Sequence, residues 1–414
     1  MGSRVIHVPR RFAQDVWGGT ESVILNLCRQ QLKAALEPEI HTSLALSETR
    51  SERWNGIPIR RYAYTYPYFG LSRDERHAMD LKAGNLISLP LFGSLLRLPD
   101  VRLFHAHVIG RMGGEVLCAA RLKRRPCVVT LHGNVFDVPD AERGGSYGSA
   151  GDKHFEWGKA FGMLFRSRRL LEEADAVLCV GYSEYVAACK ALSHERVHYL
   201  ANGVNPGAFE HGDRNRTRGE LGFADDEFVF ACISRIDPQK GQHLLVEALG
   251  KLASAGLRAK LLLAGPATDL EYRDRLRESI GQLDLQERVS WLDPVSPESA
   301  RHADLLAASD AFVLPSRHEP FGIVVLEAWA AGKPVIVSNV GGLQRLVDGG
   351  KDGLVFDSGD GEGLAAQMVT LLQDNAMAES LAGAGQSKML AKYTWDRVAE
   401  DLERIYRKAE AARA

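Results

Sequence analysis

Along this chain, short runs of β-branched and apolar residues, each ending at Gly, His, Asn or Ser, alternate with longer stretches of helical periodicity from one end to the other. That alternation limits the possible folds more than any other feature. Parallel strands need a crossover of a dozen or more residues, and a run, a helical pattern and a second run are how a βαβ unit is written. The predicted strands are 5–8, 102–108, 127–133, 176–181 and 197–203 in the first half. In the second half they are 228–234, 260–265, 289–292, 311–315, 334–338 and 353–356. Between the two sets lies NGVNPGAFEHGDRNRTRGE, whose Asn, Gly, Pro and charge read as a surface connection, with the boundary near 205 to 215. At 414 residues and 45% hydrophobic, the chain has enough material for two cores. The expectation is an α/β protein of two Rossmann-like, doubly wound domains, 1–205 and 206–393. A final helix over 394–414 carries Trp395, Val398, Leu402 and Ile405 or Tyr406 on one face. Two such domains facing each other leave a cleft at the carboxyl ends of both sheets, where ligands of open α/β sheets bind.

Composition excludes several classes. A formal charge of −2 and a pI near 6.7 provide no basic excess for nucleic acid. The six cysteines form no C-x-x-C pair and sit in apolar runs, which reads as reduced thiols in the cytoplasm. The longest apolar stretch, Leu86 to Leu96, is broken by Pro90 and Gly93, so no membrane span and no leader are expected. A P-loop, G-x-G-x-x-G and D-x-D are all absent from the sequence.

The residues that carry chemistry cluster at predicted strand ends. In RHEPFGIVVLEAWAAGKPVIVS, Glu319 lies in a strand-to-helix loop, and Phe321, Gly322 and Ile323 present amides at a helix start. Such a start is an anion site suited to a diphosphate. Glu327 falls one turn deeper on the face of Ile323, where a carboxylate can accept hydrogen bonds from ribose hydroxyls. Taken singly, both glutamates read equally well as solvated helix-end acids. In SRIDPQKGQHLLVEAL, Arg235 and Lys240 sit across a Pro-containing turn, a fork and a point charge that can converge on one polyanion. In DVWGGTESVILNLCRQQL, Gly18 and Gly19 permit close backbone approach, and Thr20 is the expected N-cap. His132 ends an apolar run just before Gly133 and can project into the cleft. His105 and His107, two apart, share one strand face, and His105 is read as structural.

These motifs resemble glycosyltransferase family 4, the retaining transferases of the GT-B fold. The likeness runs through GGTE at 18–21, LHG at 131–133, NGVN at 202–205, SRIDPQKG at 234–241, LAGP at 263–266, EPFGIVVLEAWAAGKPVIVS at 319–338, VGG at 340–342 and the terminal YTWDRVAEDLERIY. It implies that the N-terminal domain binds the acceptor and the C-terminal domain the nucleotide-sugar donor. Arg235 and Lys240 would neutralise the diphosphate, while Glu319 and the amides of Phe321, Gly322 and Ile323 hold the sugar. Glu327 would bind ribose, Gly265 would line the donor site, and backbone near Val295 would contact the base. The Gly18–Gly19 loop would close over the phosphates, His132 would line the reaction centre, and the terminal helix would cross back to the N-terminal domain. Two departures from the family pattern stand out: Gln344 and Arg345 in GGLQR, and Asn205 in NGVN.

Donors aimed at charge developing on the leaving diphosphate supply the catalytic term here, so no metal and no resident cofactor is expected. Transfer would keep the anomeric configuration, moving a hexose-type sugar from a UDP- or GDP-sugar to a sugar, lipid-linked or small-molecule acceptor in polysaccharide or glycoconjugate synthesis. Two rival readings are a nucleotide-sugar 2-epimerase and a non-catalytic scaffold of the same architecture. Basic runs at 121–125 and 165–171 leave contact with the inner face of a membrane open, and 62–80, rich in tyrosine, is read as an acceptor loop.

Overall fold

A computed structural model of the chain describes residues 3–13, 18–81, 84–133, 135–136, 154–295 and 299–413. The chain divides into two compact units, one of Met1–Ala201 with Val398–Ala414 and one of Asn202–Arg397. Each is a sheet wrapped by helices.

Among the described residues the first unit holds eight strands: β1 Arg4–Val8, β2 Glu37–Ser43, β3 Ser51–Trp54, β4 Ile57–Tyr62, β5 Val101–Ala106, β6 Cys127–Leu131, β7 Ala176–Cys179 and β8 Val197–Tyr199. Their order is β3-β4-β2-β1-β5-β6-β7-β8, parallel except for the β3–β4 pair. The sequence reading did not anticipate β2, β3 and β4. β2, EPEIHTS, looks too polar for an inner strand yet is buried at six of its seven positions. Its Glu39 is matched by Arg4 at 3.0 Å and His41 at 3.1 Å, so the buried charge has partners. β3 and β4 are joined through Asn55 and Gly56, both at positive φ (49° and 82°), the Asn-Gly signature of a two-residue hairpin.

The described residues of the second unit hold six parallel strands: β9 Phe228–Ile233, β10 Ala259–Ala264, β11 Val289–Leu292, β12 Ala311–Leu314, β13 Val335–Ser338 and β14 Leu354–Phe356. They run in the order β11-β10-β9-β12-β13-β14. In both units the first strand lies beside one from the returning half of the fold, so the winding reverses between β1 and β5 and between β9 and β12. Ligands of open α/β sheets bind at the carboxyl edge of such switch points.

Helices cover both sheets through their apolar faces. In the second unit, helix Gln242–Ser254 buries Leu244, Leu245, Ala248, Leu249 and Leu252 against Phe230, Leu261 and Leu263. Full burial of each such Leu or Phe contributes about 1.5–3 kcal/mol. In the first, helix Gly110–Leu122 sets Met112, Val116 and Ala119 against Phe104 and Val129. The terminal helix, Trp395–Ala411, begins in the second unit and from Val398 onward belongs to the first. There Leu402, Ile405, Tyr406 and Ala409 are buried, and Arg102 binds Glu403 and Glu410 at 2.8–2.9 Å.

The connecting stretch is more structured than its composition suggests. Val204 and Thr394 pair in parallel, and a Cβ on Gly203 would come within 2.8 Å of Trp395. Helix Arg214–Leu221 docks its arginines on acids: Arg216 meets Asp304 at 2.6 Å, and Arg214 meets Asp310 at 2.7 Å. The charge density of this surface connection goes into ion pairs on the second unit. All six cysteines are free thiols, four of them buried. Among the described residues no helix is long and apolar enough to cross a membrane.

Candidate functional site

In the second unit the charged motifs come together at the carboxyl edge of β9 and β12, which are neighbours in the sheet. Arg235 follows β9, and Lys240 closes the 3-10 turn Pro238–Lys240. Asp237 caps that turn, accepting from the Gln239 amide at 3.0 Å, and its other oxygen accepts from Thr268 Oγ1 at 2.7 Å. Gly241, at φ 69°, ends the turn so close to Pro315 that a Cβ would lie 2.2 Å from its carbonyl oxygen. The turn after β9 and the loop after β12 are therefore pressed together. Across that contact Lys240 Nζ donates to Glu319 Oε2 at 2.6 Å.

Glu319 is held from the other side by the loop after β13. The Gly342 amide donates to the Glu319 carbonyl at 2.8 Å. A Cβ on Gly341 or Gly342 would fall 2.4 Å from the carbonyl oxygen of Glu319 or 2.1 Å from that of Pro320. The GG of GGLQR thus has a packing reason, whereas Gln344 is exposed and donates to the Asn339 carbonyl at 3.1 Å. Gly322, at φ 95°, is the N-cap of helix Ile323–Ala330, so the chain turns sharply from Glu319 into the helix. Phe321 is buried, its ring 6.1 Å from that of Tyr393. Glu327 is buried in the same helix, 3.5 Å from His302 Nε2. Its Oε2 has no hydrogen-bond partner among the described residues, and burial pushes its carboxyl above the usual range against the pull of His302. Arg235, with its side chain 43% exposed, lies 3.7 Å from Asp237.

Two residues on this edge were not singled out from sequence. Gln242 Nε2 donates to the Arg235 carbonyl at 2.7 Å and to Ser234 Oγ at 3.0 Å, pinning the Arg235 loop. The Arg317 amide donates to the Gln239 carbonyl at 2.8 Å, lacing the two loops together. Gly265, at φ 145° beyond β10, lets the chain pass Ser234, whose carbonyl oxygen a Cβ would approach to 2.0 Å. Val295 follows the edge strand β11 and is half-buried. The rest of its motif, 296–298, lies outside the described residues.

In the first unit the carboxyl edge is built differently. Gly18 rather than Thr20 is the N-cap of helix Gly19–Lys33, and the Glu21 carboxylate reaches back to accept from the Gly18 amide at 3.1 Å. Glutamate at the third helical position can take that amide directly, so the Thr20 hydroxyl is not needed. Residues 14–17 of the motif lie outside the described residues. His132 follows β6, and the Gly133 turn after it, at φ 93°, is held by Glu184. That carboxylate, missed from sequence, accepts from the amides of Gly133 at 3.1 Å and Val135 at 3.0 Å. His105 is wholly buried as expected, bonded to Tyr406 OH and Thr130 Oγ1, both at 2.6 Å. His7, His105 and His107 place ligand-type atoms within 4.8 Å of one another, but their nitrogens are engaged in hydrogen bonds.

Two tyrosines of 62–80 pack their own loop: Tyr64 and Tyr66 both donate to Asp80 Oδ1, at 2.7 and 2.8 Å. Phe69 is exposed, stacked on Phe155 at 6.0 Å. In the basic runs, Glu173 takes Arg121 at 2.6 Å and also Arg166, while Arg124, Arg168 and Arg169 stay exposed.

Comparison with known proteins agrees with this layout. Residues 18–203 match the model of a glycosyl transferase 4-like domain, and residues 213–388 match that of glycosyl transferases group 1. The chain is 32% identical over 328 residues to D-inositol 3-phosphate glycosyltransferase 1 of Catenulispora acidiphila, covering 76% of this chain and 74% of that one. It is 31% identical over 258 residues to alpha-maltose-1-phosphate synthase of Mycolicibacterium smegmatis, covering 59% and 66%. An uncharacterised glycosyltransferase of Methanocaldococcus jannaschii is matched over 60% of its length, and a D-inositol 3-phosphate glycosyltransferase of Rhodococcus opacus over 48%. Among solved structures, sucrose-phosphate synthase from Thermosynechococcus elongatus superposes with a TM-score of 0.75 at 23% identity, covering 99% of this chain and all of that one. Anabaena HepE, solved with UDP and glucose, superposes with 0.72 at 21%, covering 96% and 98%. Likeness at that identity shows the fold, which is GT-B. With both halves matched in chain order, the protein belongs to the group 1, glycosyl transferase 4-like family of glycosyltransferases.

Proposed function

We propose that this protein transfers a hexose-type sugar, with retention of anomeric configuration, from a UDP- or GDP-sugar to a sugar, lipid-linked or small-molecule acceptor in polysaccharide or glycoconjugate synthesis. One observation carries the reading. Two cations, a carboxylate and a helix N-terminus occupy loops laced together at the β9/β12 switch point, with Lys240 and Glu319 2.6 Å apart. This is an anion site with a hydrogen-bonding acid beside it. Arg235, Lys240 and the amides at Gly322 and Ile323 receive the diphosphate and stabilise the charge that builds on it as the glycosidic bond breaks. Each charge-assisted hydrogen bond there contributes about 1.5–3 kcal/mol. Glu319, oriented by Lys240, accepts from sugar hydroxyls, and Glu327, buried with an unpartnered oxygen, accepts from ribose. Gly265 leaves the diphosphate room to approach, and backbone at Val295 meets the base. The first unit, which carries the Gly18–Gly19 loop and His132, takes the acceptor. HepE complexes with UDP and UDP-glucose support a uridine donor as the first to test.

With positive charge supplied by Arg235 and Lys240, the reading takes no metal. The buried free thiols fit a reducing, cytoplasmic compartment. Exposed Arg124, Arg168 and Arg169 suit an anionic lipid surface if the acceptor is lipid-linked, which sedimentation with anionic vesicles tests.

The decisive experiment incubates the protein with UDP-glucose and GDP-mannose and a panel of acceptors in EDTA, then reads the new linkage by NMR. An axial, retained linkage is expected. An inverted product, a requirement for added metal, or donor epimerised without any acceptor would overturn the corresponding part of the reading.

A further inference from the structure

Behind His132 runs a continuous chain of side-chain hydrogen bonds. His132 Nε2 meets His107 Nδ1 at 3.0 Å, His107 Nε2 meets His7 Nδ1 at 2.9 Å, and His7 Nε2 meets Gln31 Oε1 at 2.8 Å. On its other side Gln31 Nε2 faces Tyr406 OH at 3.4 Å, and that hydroxyl meets His105 Nδ1 at 2.6 Å. His7, His105, His107, Gln31 and Tyr406 are all buried. They come from β1, β5 and its end, helix Gly19–Lys33 and the terminal helix, and they converge at the first unit's switch point.

A neutral imidazole has one N–H and one bare nitrogen, so within a chain of rings each hydrogen bond fixes the direction of the next. Burial holds His7 and His132 down to about 4 and lowers His105 and His107 as well, so all four rings are neutral near pH 7. Gln31 Oε1 can only accept. His7 must then carry its proton on Nε2 and accept at Nδ1. His107 donates from Nε2 and accepts at Nδ1, and His132 donates from Nε2. At the other end Gln31 Nε2 donates to the Tyr406 oxygen, the Tyr406 hydroxyl donates to His105 Nδ1, and His105 Nε2 donates to Thr130 Oγ1 at 2.6 Å. No donor faces a donor anywhere in the network. Rotating the Gln31 amide by half a turn would reverse every one of these bonds at once, so this single side chain sets the sense of the whole chain.

We propose that Gln31, with Nε2 toward the Tyr406 hydroxyl and Oε1 toward His7, is a positioning residue that acts through His7 and His107 to hold His132 as the Nε2–H tautomer, with Nδ1 presented as a bare acceptor. The bond to His107 fixes the ring at one edge, and the Glu184 clasp on the Gly133 amide fixes the backbone beside it. Only the consequence for turnover rests on placing His132 in the reaction centre. The tautomer itself does not.

Long-range ¹H–¹⁵N correlation of histidine side chains in the full chain reads the tautomer without substrate, with His132 assigned by its loss in His132→Asn. In the wild type at pH 7.5, His132 should show a protonated Nε2 and an unprotonated Nδ1. In Gln31→Met, and separately in Tyr406→Phe, which keeps the ring packing, its two ¹⁵N shifts should move toward each other as both tautomers become populated. Turnover should fall by about tenfold or more, with donor KM within about twofold. A wild-type His132 protonated at Nδ1, or shifts unmoved in a folded variant of either kind, would overturn the relay. If the shifts move and turnover does not, the relay stands and the placement of His132 in the reaction fails.

Discussion

The two sheets reverse their winding in the same way, but they furnish the reversal with opposite chemistry. At β1/β5 the polar groups are neutral, buried and bonded to one another in series. At β9/β12 they are charged, and Arg235 stays substantially exposed. One fold feature thus serves two ends. A chain of neutral rings stabilises a fixed direction of hydrogen bonding and has little to offer a polyanion. A cluster of cations at a helix start attracts a polyanion and cannot remain dry without one of its own acids beside it.

The contrast can be broken most sharply at the charged edge. Lys240→Ala or Glu319→Ala should lower transfer by about 10²–10³-fold, the scale for removing one preorganised group aimed at developing charge. The melting temperature should stay within a few degrees, and retained activity in either folded variant would end the assignment. Next in size, Arg235→Ala should weaken binding of free UDP by about tenfold to a hundredfold in calorimetry, the equivalent of losing one charge-assisted hydrogen bond. His132→Asn should leave that affinity within about twofold. Equal losses in both would erase the distinction between the two edges.

Backbone constraints come third. Gly265→Ala places a Cβ 2.0 Å from the Ser234 oxygen at φ 145°, so it should cost about 1–3 kcal/mol in urea unfolding and weaken UDP binding as the Arg235 loop shifts. Gly133→Ala, at φ 93°, should cost a similar amount without touching UDP affinity.

The smallest effect concerns pH. His7 is held at about 4 when folded against 6.5 when unfolded, so the unfolded chain binds the extra proton. Its contribution is full above pH 6.5 and is lost as pH falls toward 4, at about 1.4 kcal/mol per pH unit. Glu115, whose carboxyl burial pushes up to about 8, works in the opposite sense: its folded form keeps a proton that the unfolded chain releases above 4.5, so its contribution shrinks as pH rises to 8. Comparing urea midpoints of His7→Gln and wild type between pH 7 and 5 isolates the histidine share. Parallel profiles would show that the ring titrates normally.

Much of the second unit was legible because its chemistry sits in contiguous motifs. Arg235, Lys240, Glu319 and Glu327 all follow recognisable apolar runs, and a strand ending at Ser, Gly or Pro points to its own carboxyl edge. The first unit was less so. β2 hides behind Glu37, Pro38 and Glu39, whose charges find partners only after folding, and the Asn55–Gly56 hairpin signal was passed over between weak strands. Gln31, Glu184 and Tyr406 stand on helices of ordinary composition and gain meaning from what they face. The ion pairs of 202–220 were illegible for the same reason, since Asp304 and Asp310 are nearly a hundred residues from the arginines they bind.

Alternating apolar runs and helical periodicity are local properties, so the sequence by itself determined that this protein is built of parallel βαβ units with chemistry at their strand ends. Strand order is not local. Only the tertiary structure decided that β9 lies beside β12, bringing Lys240 to Glu319 across 79 residues, and that β1 lies beside β5, bringing His7 to His107 across 100. Pairing energies between distant segments settle which edges meet, and no spacing within a single segment encodes them.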